Sequence, residues 1–383
     1  MNKVLSLFGT RPEVIKLAPV IRQLEQFRHS FQTINVVSGQ HADMLCQFIE
    51  MFDLRIDHNL TAMERDQRPS ALFARILQRL ESILEWERPN LILVQGDTTT
   101  ALAGAFTGFH HRIPVGHVEA GLRSGNVNSP YPEEMNRILI TRLATYHFAA
   151  TCGNRDSLLS EGVAPDKIFL TGNPIVDALH DILGRSDEAQ SLVHALLRQT
   201  QNLRRIVLTT HRRESFGEAI AANLRTLCQF VRDHEDVAML FPVHPNPNVR
   251  VVAETICKGE PRVFLTKPFN YSDFITLLSN SWLIVSDSGG IQEEAPSLGK
   301  PLLILRDNTE RPESVEAGIA RLVGGRAATL KAMLEEAYQR GSWAESVRKA
   351  ENPFGRGDSA ERIVDSIAHV LGVEPIQSAR FGD

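Results

Sequence analysis

Short apolar runs alternate with longer amphipathic segments along the whole chain. Runs this short and this apolar are typical of parallel strands that are covered on both faces of a sheet. We therefore predict strands at residues 4–8, 33–37, 91–94 and 115–118 in the first half, and at 206–209, 238–241, 263–265, 283–286 and 302–305 in the second half.

Between these runs, residues 68–87 and 219–231 carry Leu, Ile and Phe at helical spacing. Regular alternation of strands and helices predicts right-handed βαβ units and a doubly wound parallel sheet. The pattern occurs twice, with a weaker and more polar stretch near 181–202 in between. The sequence thus predicts an α/β protein with two Rossmann-like domains, which we place at residues 1–172 and 173–355.

The composition argues against a nucleic-acid-binding, secreted or membrane protein. The 383 residues are 43% hydrophobic and 23% charged, with a net charge of −5 and a pI of about 6.2, which argues against nucleic acid or an anionic membrane as a partner. The four cysteines show no CxxC spacing, which favours a reduced, cytoplasmic chain. Arg11 and Glu13 interrupt the first apolar run too early for a signal peptide. No run approaches the roughly 18 apolar residues of a membrane span.

Polar residues follow many of the predicted strands, and ligands of doubly wound sheets bind at the carboxyl ends of strands. With two such domains, the expected site is the cleft between them. Three acids, Asp97, Glu119 and Glu133, come after strands of the first domain, whereas Arg11 and His211 follow strands of both. Asp97 could instead cap the next helix, and Glu133 could simply begin one. The coincidence of three acids favours a catalytic role.

A metal site is the weaker interpretation of this region. His117 and Glu119 are two residues apart, and His110 and His111 are adjacent. Neither pair supplies the three or four convergent ligands that a zinc site needs. We therefore predict neither a metal nor another cofactor.

The segment VSDSGGIQEE at 285–294 combines an anion-binding turn with two acids. Ser288, Gly289 and Gly290 let the backbone approach a ligand, and the helix that follows offers N–H groups at its start. Two carboxylates one turn later would repel a bare phosphate, but a carboxylate can accept hydrogen bonds from the ribose of a nucleotide. We assign the ribose to Glu294 and expect Glu293 to be solvated or to cap the helix.

Eight motifs occur in order along the chain. They are FGTRPEVIKLAP (8–19), GDTTT (96–100), PVGHVEAGLRSG (114–125), YPEEMNR (131–137), HRRESFGE (211–218), PVHPNPNVR (242–250), SDSGGIQEEAPSLGKP (286–301) and ERPE (310–313). Together they resemble the non-hydrolysing UDP-N-acetylglucosamine 2-epimerases, from the N-terminus to about residue 365. The resemblance implies a fold like that of the B-type glycosyltransferases, with two Rossmann-like domains facing a cleft and a C-terminal helix at about 356–372 that packs back on the first domain.

The reaction implied by this resemblance is the reversible conversion of UDP-GlcNAc into UDP-ManNAc, by anti elimination of UDP to 2-acetamidoglucal and re-addition. The implied catalytic residues are Asp97, Glu119, Glu133, His211 and Arg11; the implied UDP-binding residues are Arg11, Lys16, His211, Phe274, Ser288, Gly289, Gly290 and Glu294. The carboxylates would handle the proton at C2, while the cations and backbone N–H groups would stabilise the departing diphosphate. The two nucleotide sugars are the expected partners, and a homodimer is the expected assembly.

The chain departs from the family pattern at Asn173-Pro174, where Asn-Thr is more usual, and at two further places. Gln95 stands where many bacterial members have His before Gly-Asp, and Ala42 stands in a loop where the family has Arg. The departure at Ala42 argues against allosteric activation by another UDP-GlcNAc. Arg212 and Arg213 could contact the ligand or form salt bridges. A hydrolysing epimerase, a glycosyltransferase on the same fold and a nucleotide-sugar sensor are the alternative functions.

Overall fold

The computed structural model describes residues 1–39, 42–64, 67–184, 191–212 and 216–373. Gln40, His41, the Ala42 side chain and Arg213 lie outside the described part, so the expectations attached to that loop and to Arg213 stay predictions. The chain forms two compact units, Met1–Ala178 together with the segment from Gly355, and Leu179–Phe354.

In the described residues, the first unit is built on a seven-stranded parallel sheet. Its strands are β1 (Asn2–Phe8), β2 (Phe31–Val37), β3 (His58–Asn59), β4 (Leu91–Gln95), β5 (Val115–Ala120), β6 (Tyr146–Ala149) and β7 (Ile168–Leu170). They follow the order β3-β2-β1-β4-β5-β6-β7, with all neighbours parallel. The order reverses between β1 and β4, and the carboxyl ends of these two strands form the switch point where ligands bind in such sheets.

Helices connect these strands. They are α1 (Arg11–Gln26), α2 (Ala42–Met51), α3 (Pro69–Glu87), α4 (Thr99–His110), α5 (Glu133–Leu143), α6 (Cys152–Ser160) and α7 (Ile175–Gly184), with a 3-10 turn at Pro165–Lys167. Two glycines bring α4 close to the sheet. A Cβ added to Gly104 would lie 2.7 Å from Leu7 Cδ2, and one added to Gly108 would lie 2.5 Å from Val115 Cγ2. The switch point therefore rests on a tightly packed layer.

The second unit has the same design around a parallel sheet, which in the described residues has six strands. They are β8 (Arg204–Thr209), β9 (Val237–Pro242), β10 (Val263–Thr266), β11 (Leu283–Ser286), β12 (Leu302–Ile304) and β13 (Ala320–Leu322). Their order is β10-β9-β8-β11-β12-β13. The order reverses between β8 and β11, which gives this unit its own switch point.

The helices of the second unit follow its strands in the same alternation. They are α8 (Leu192–Gln199), α9 (Glu218–Asp233), α10 (Pro247–Cys257), α11 (Tyr271–Ser279), α12 (Ile291–Ser297), α13 (Pro312–Glu316), α14 (Ala327–Tyr338) and α15 (Trp343–Ser346), with a 3-10 turn at Val347–Lys349. Side chains of β8, β9 and β11 share one buried core with those of α9, α10 and α14. This core fixes the strands whose ends carry the candidate residues.

The last described helix, α16 (Ser359–Val370), belongs to the first unit and packs against α1. Its first backbone N–H groups are capped by Asp177, which accepts hydrogen bonds from Ser359 N at 3.3 Å and Ala360 N at 2.9 Å. Burial raises the pKa of Asp177, although these hydrogen bonds oppose the shift. A carboxylate at a helix N-terminus is stabilised by the helix dipole, so this contact anchors the returning segment.

The predicted fold class is confirmed, since both sheets are doubly wound and every predicted strand is present. The sequence pattern missed β3, β6, β7 and β13. These strands lie at or next to a sheet edge and are two to four residues long. Strands in that position are covered less completely and need no continuous apolar run. None of the helices in the described segments is long and apolar enough to cross a membrane.

Candidate functional site

Lys16, Glu119 and Gln95 form a buried polar cluster beside the switch point of the first sheet. They lie on α1, β5 and the last position of β4, respectively. Lys16 Nζ is 2.5 Å from Glu119 Oε2, and the two side chains are only 7% and 6% exposed. The Gln95 side-chain amide donates a hydrogen bond to the same oxygen. A buried carboxylate is costly without such partners, so the cluster fixes Glu119 in place.

The backbone at Glu119 is itself unusual. Its φ angle is +64°, in the left-handed region, and the pairing of β5 with β6 shifts register between Val118 and Ala120. Such a bulge redirects a strand side chain, here towards Lys16. A non-glycine residue in this conformation costs of order 1–3 kcal/mol and is concentrated at functional sites.

Asp97 lies in the turn after β4 and is held by α5. Arg137 Nη2 and Nε lie 2.6 and 2.9 Å from Asp97 Oδ2. Asn136 Nδ2 donates to the backbone carbonyl of Asp97 at 2.8 Å. The Asp97 side chain nevertheless remains 25% exposed. The carboxylate is therefore positioned by a charged partner yet accessible.

Glu133 and Glu134 both begin α5 but have different surroundings. Glu134 is 1% exposed, and its Oε1 accepts hydrogen bonds from Ser124 N at 2.9 Å and Gly125 N at 3.0 Å. Glu133 Oε2 is buried, yet within the described segments it accepts no hydrogen bond. Glu134 is thus a structural acid, whereas Glu133 has a buried carboxylate oxygen without a partner in the described segments.

His117 was considered above as a metal ligand, but its contacts are structural. The side chain is 1% exposed, and Nε2 donates a hydrogen bond to the carbonyl of Gly96 at 2.8 Å. Burial lowers the pKa of His117 to about 3, and the hydrogen bond to Gly96 opposes the shift. The neutral ring therefore supports the turn that carries Asp97. Among the residues that the structure describes, no group of three His, Cys, Asp or Glu could hold a metal ion.

Arg11 gives the end of β1 a positive charge. It is the first residue of α1 and is exposed, with its guanidinium carbon 5.9 Å from the centroid of the Phe48 ring. The start of a helix adds N–H groups and the positive end of the helix dipole. The first unit thus carries a cation at the end of β1, with the three predicted carboxylates in the turn after β4, on β5 and at the start of α5.

Asp287 organises the switch point of the second sheet. Its fully buried carboxylate accepts hydrogen bonds from Thr210 Oγ1 at 2.7 Å and from the backbone N–H groups of His211 and Arg212 at 3.0 Å. Burial alone would raise the pKa of Asp287, but the hydrogen bonds from His211 and Thr210 hold it below its ordinary value. The His211 ring stacks on that of His244, with centroids 5.5 Å apart. Asp287 therefore ties the loop after β8 to the end of β11.

Two guanidinium groups lie close to the Ser-Gly-Gly turn. A Cβ added to Gly289 would be 3.1 Å from Arg311 Nη1 and 3.5 Å from Arg212 Nη2. Arg311 Nε in turn contacts Glu293 Oε1 at 2.5 Å. The expectation that Glu293 is solvated is wrong, because its side chain is 2% exposed and paired with Arg311, and the alternative that it caps the helix stays a prediction. This ion pair explains why an acid can stand beside an anion-binding turn.

Glu294, the residue assigned to the ribose, is held by Tyr271 of α11, the helix that also carries Phe274. Glu294 is 6% exposed, and its Oε1 accepts a hydrogen bond from the Tyr271 hydroxyl at 2.7 Å. Phe274 lies one turn after Tyr271 on α11 and is partly buried. Residues three apart share a helix face, so Tyr271 and Phe274 lie on the same side of α11.

Sequence reasoning missed two residues of this second group, Arg311 and Tyr271. Arg311 lies in the ERPE motif at 310–313, which was the only sequence signal for it. Tyr271 had no signal, since an aromatic residue at the start of a helix is ordinary. The two units differ in chemistry: carboxylates suited to proton transfer dominate the first switch point, and donors suited to a diphosphate dominate the second.

Comparison with known proteins gives consistent matches. The family model described as UDP-N-acetylglucosamine 2-epimerase matches residues 23–368. The UDP-N-acetylglucosamine 2-epimerase of Yersinia pestis is 43% identical over 375 residues, with 95% of this chain and 98% of the relative covered. A crystal structure of the Neisseria meningitidis UDP-GlcNAc 2-epimerase bound to UDP-GlcNAc has a TM-score of 0.88 at 38% identity, over 96% of this chain and 100% of that one. The glycotransferase of kitacinnamycin, at 12% identity and a TM-score of 0.60 over 95% and 99% of the two chains, shares the fold alone.

Proposed function

The chain belongs to the UDP-N-acetylglucosamine 2-epimerase family, and we propose that it interconverts UDP-GlcNAc and UDP-ManNAc without releasing a free sugar. The observation that carries this proposal is the buried Lys16–Glu119–Gln95 cluster. Nucleotide binding alone does not need a buried carboxylate at a strained backbone position such as that of Glu119. A reaction that transfers a proton at carbon does need such a group, as its acid or base.

The proposed reaction begins with the loss of UDP from the anomeric carbon. The proton on C2 is barely acidic, so UDP must leave before this proton is removed or at the same time. Negative charge then develops on the diphosphate, and donors near that charge lower the barrier. In this proposal His211, Arg212 and Arg311 supply these donors together with the N–H groups of the turn at 288–290, and Arg11 adds a further positive charge.

Inversion at C2 requires proton transfer on both faces of the sugar, because the proton leaves from one face and returns on the other. Carboxylates held in different environments can act as acid and base. Glu119 is fixed by Lys16, Asp97 is fixed by Arg137, and Glu133 has an acceptor oxygen without a partner in the described segments. We assign the proton transfers to these three carboxylates. Re-addition of UDP to 2-acetamidoglucal then gives the product.

The nucleoside is assigned to the second unit. Glu294, oriented by the Tyr271 hydroxyl, would accept hydrogen bonds from the ribose. Phe274 on the same helix as Tyr271 would lie against the uracil ring, because an aromatic face stacks on any base. This arrangement gives a direct reason for the acid in the segment 285–294.

Deuterium exchange tests the proposed function. The protein is incubated with UDP-GlcNAc in deuterium oxide and followed by proton NMR. We expect UDP-ManNAc to appear, with deuterium at C2 of both nucleotide sugars. Release of free ManNAc would show a hydrolysing enzyme, and no exchange in the absence of an acceptor would show a glycosyltransferase or a binding protein. Either result contradicts the proposal.

We further propose that the protein acts as a homodimer in the cytoplasm. Trp86 on α3 and Phe109 on α4 are 79% and 57% exposed, and these two helices are neighbours. Large apolar side chains on adjacent helices suit a surface that a second copy covers. Gel filtration with light scattering distinguishes a dimer from a monomer.

A further inference from the structure

Glu13 is a fully buried acid at the first switch point that the proposed reaction does not use. Its Oε2 accepts hydrogen bonds from the backbone N–H groups of Gly9 at 2.9 Å and Thr10 at 2.6 Å. Its Oε1 accepts a hydrogen bond from Thr98 Oγ1 at 2.6 Å. One carboxylate thus joins the loop after β1 to the loop after β4, through a contact between residues 85 positions apart in sequence.

Each of these loops carries a residue assigned to the reaction. Gly9 and Thr10 lead directly into Arg11, and Thr98 directly follows Asp97. The Thr98 hydroxyl also accepts a hydrogen bond from Ala101 N at 2.9 Å and so begins α4. The Glu13 carboxylate therefore fixes the distance between the end of β1 and the end of β4.

The space around these loops leaves little freedom. A Cβ added to Gly9 would overlap the Ser38 hydroxyl and lie 2.7 Å from Thr100 Oγ1. The two hydroxyls are themselves 3.0 Å apart. Small residues in close contact transmit a displacement of one loop to the other.

The hydrogen bond from Thr10 N is the contact of an N-terminal capping box, which Glu or Gln can make, so helix capping does not account for the hydrogen bond from Thr98. A neutral residue could cap α1, whereas a buried carboxylate carries a desolvation cost. Burial raises the pKa of Glu13 to about 7, and the hydrogen bonds from Thr98, Gly9 and Thr10 oppose the shift. In its ionised form the side chain can accept from all three donors at once.

We propose that Glu13 is a positioning residue that holds Arg11 and Asp97 in register with each other, an inference that rests on the function proposed above. It acts through the loops and does not contact the substrate. Weakening the contact from either side, at Glu13 or at Thr98, should therefore have the same effect.

Two variants with a matched control test this role by C2 deuterium exchange. Glu13→Gln replaces an acceptor by a donor, and Thr98→Val removes the hydroxyl at constant size. We expect each to lower kcat at least tenfold, the double variant to be no slower than the slower single variant, and Thr98→Ser to restore the rate. Thr151→Val loses the same kind of helix cap on α6, where Thr151 Oγ1 accepts from Asn154 N at 3.1 Å, and should stay within twofold of the wild type.

A measurement independent of turnover separates this inference from the proposed function. Amide hydrogen exchange of the wild type and Thr98→Val is followed by mass spectrometry for peptides covering residues 7–12. We expect faster exchange in this loop, although the substitution lies in the other loop. Unchanged exchange there, or a Thr98→Ser variant as slow as Thr98→Val, overturns the positioning role. A wild type without C2 exchange overturns the proposed function, while the amide measurement still decides whether Glu13 couples the loops.

Discussion

Lys16 and Glu119 form an ion pair of 2.5 Å in which both side chains are more than nine-tenths buried. The two residues are 103 positions apart and lie on α1 and β5. Breaking a buried pair leaves an uncompensated charge, so each partner determines the behaviour of the other. The pair places a cation directly against one of the three carboxylates assigned to the proton transfers.

Glu119→Gln tests this carboxylate. The substitution preserves size but removes the proton acceptor, and general acid–base groups contribute about 10²–10⁴-fold to rates. We expect C2 deuterium exchange to fall at least about a hundredfold. UDP affinity by calorimetry should stay within about twofold, because Glu119 is not among the residues assigned to UDP and most of those residues lie in the second unit.

A matched control for that variant is Glu87→Gln. Glu87 also pairs with a lysine, Lys3 at 3.1 Å, and its Oε1 is 2.8 Å from His58 Nε2. We expect this variant to exchange at the wild-type rate. Equal rates for Glu119→Gln and Glu87→Gln would remove Glu119 from the mechanism.

Gly289→Ala tests the anion-binding turn. The new methyl group would stand 3.1 Å from Arg311 Nη1 and 3.5 Å from Arg212 Nη2 and would occupy the space assigned to the diphosphate. We expect UDP affinity to fall about tenfold, equivalent to about 1.4 kcal/mol. Gly325→Ala is the control, since a Cβ there meets nothing within 4 Å. Unchanged UDP affinity in Gly289→Ala would place the diphosphate elsewhere.

Two buried histidines predict acid lability. Burial lowers the pKa of His117 to about 3 and that of His147 to about 4, from an ordinary value of 6.5. Below pH 6.5 the unfolded chain therefore binds protons that the folded chain does not, and the free energy of unfolding falls as the pH falls. Urea unfolding at pH 7 and pH 5 measures this loss. We expect this loss of unfolding free energy to be about 2 kcal/mol smaller in His147→Leu. The span from pH 6.5 to pH 5 is about 1.5 units, which corresponds to roughly that energy for one proton. An equal loss in the variant would contradict the assignment.

Glu13 predicts a pH dependence of opposite sign. Burial raises its pKa from 4.5 to about 7, so between these values the folded chain keeps a proton that the unfolded chain has lost. The stability contributed by this group is present below pH 4.5 and is lost as the pH rises through 7. Between pH 4.5 and pH 8, Glu13→Gln should gain about 3 kcal/mol relative to the wild type in urea unfolding. A constant difference between the two proteins would show that Glu13 titrates normally.

The fold was predictable because local sequence determines its central strands, whereas the roles of the candidate residues stay predictions. A central parallel strand is buried on both faces, so its sequence is a short apolar run. The polar residues that follow it lie at the carboxyl edge of the sheet, where ligands bind. In this way the sequence proposed Asp97, Glu119 and His211 as candidates. The same reasoning failed for the peripheral strands, whose incomplete burial leaves no such run.

The pairing of side chains was decided only by the tertiary structure. Nothing local distinguishes Glu133 from Glu134, yet only Glu134 receives backbone hydrogen bonds from the 124–125 loop. Glu293 is buried because Arg311, from a loop beyond the next strand, reaches it. Such contacts depend on the order in which strands lie across a sheet. That order is set by crossovers between distant segments. The periodicity of the chain therefore specifies where each strand begins and ends, but it does not specify which strands are neighbours or which of the residues that follow them come into contact.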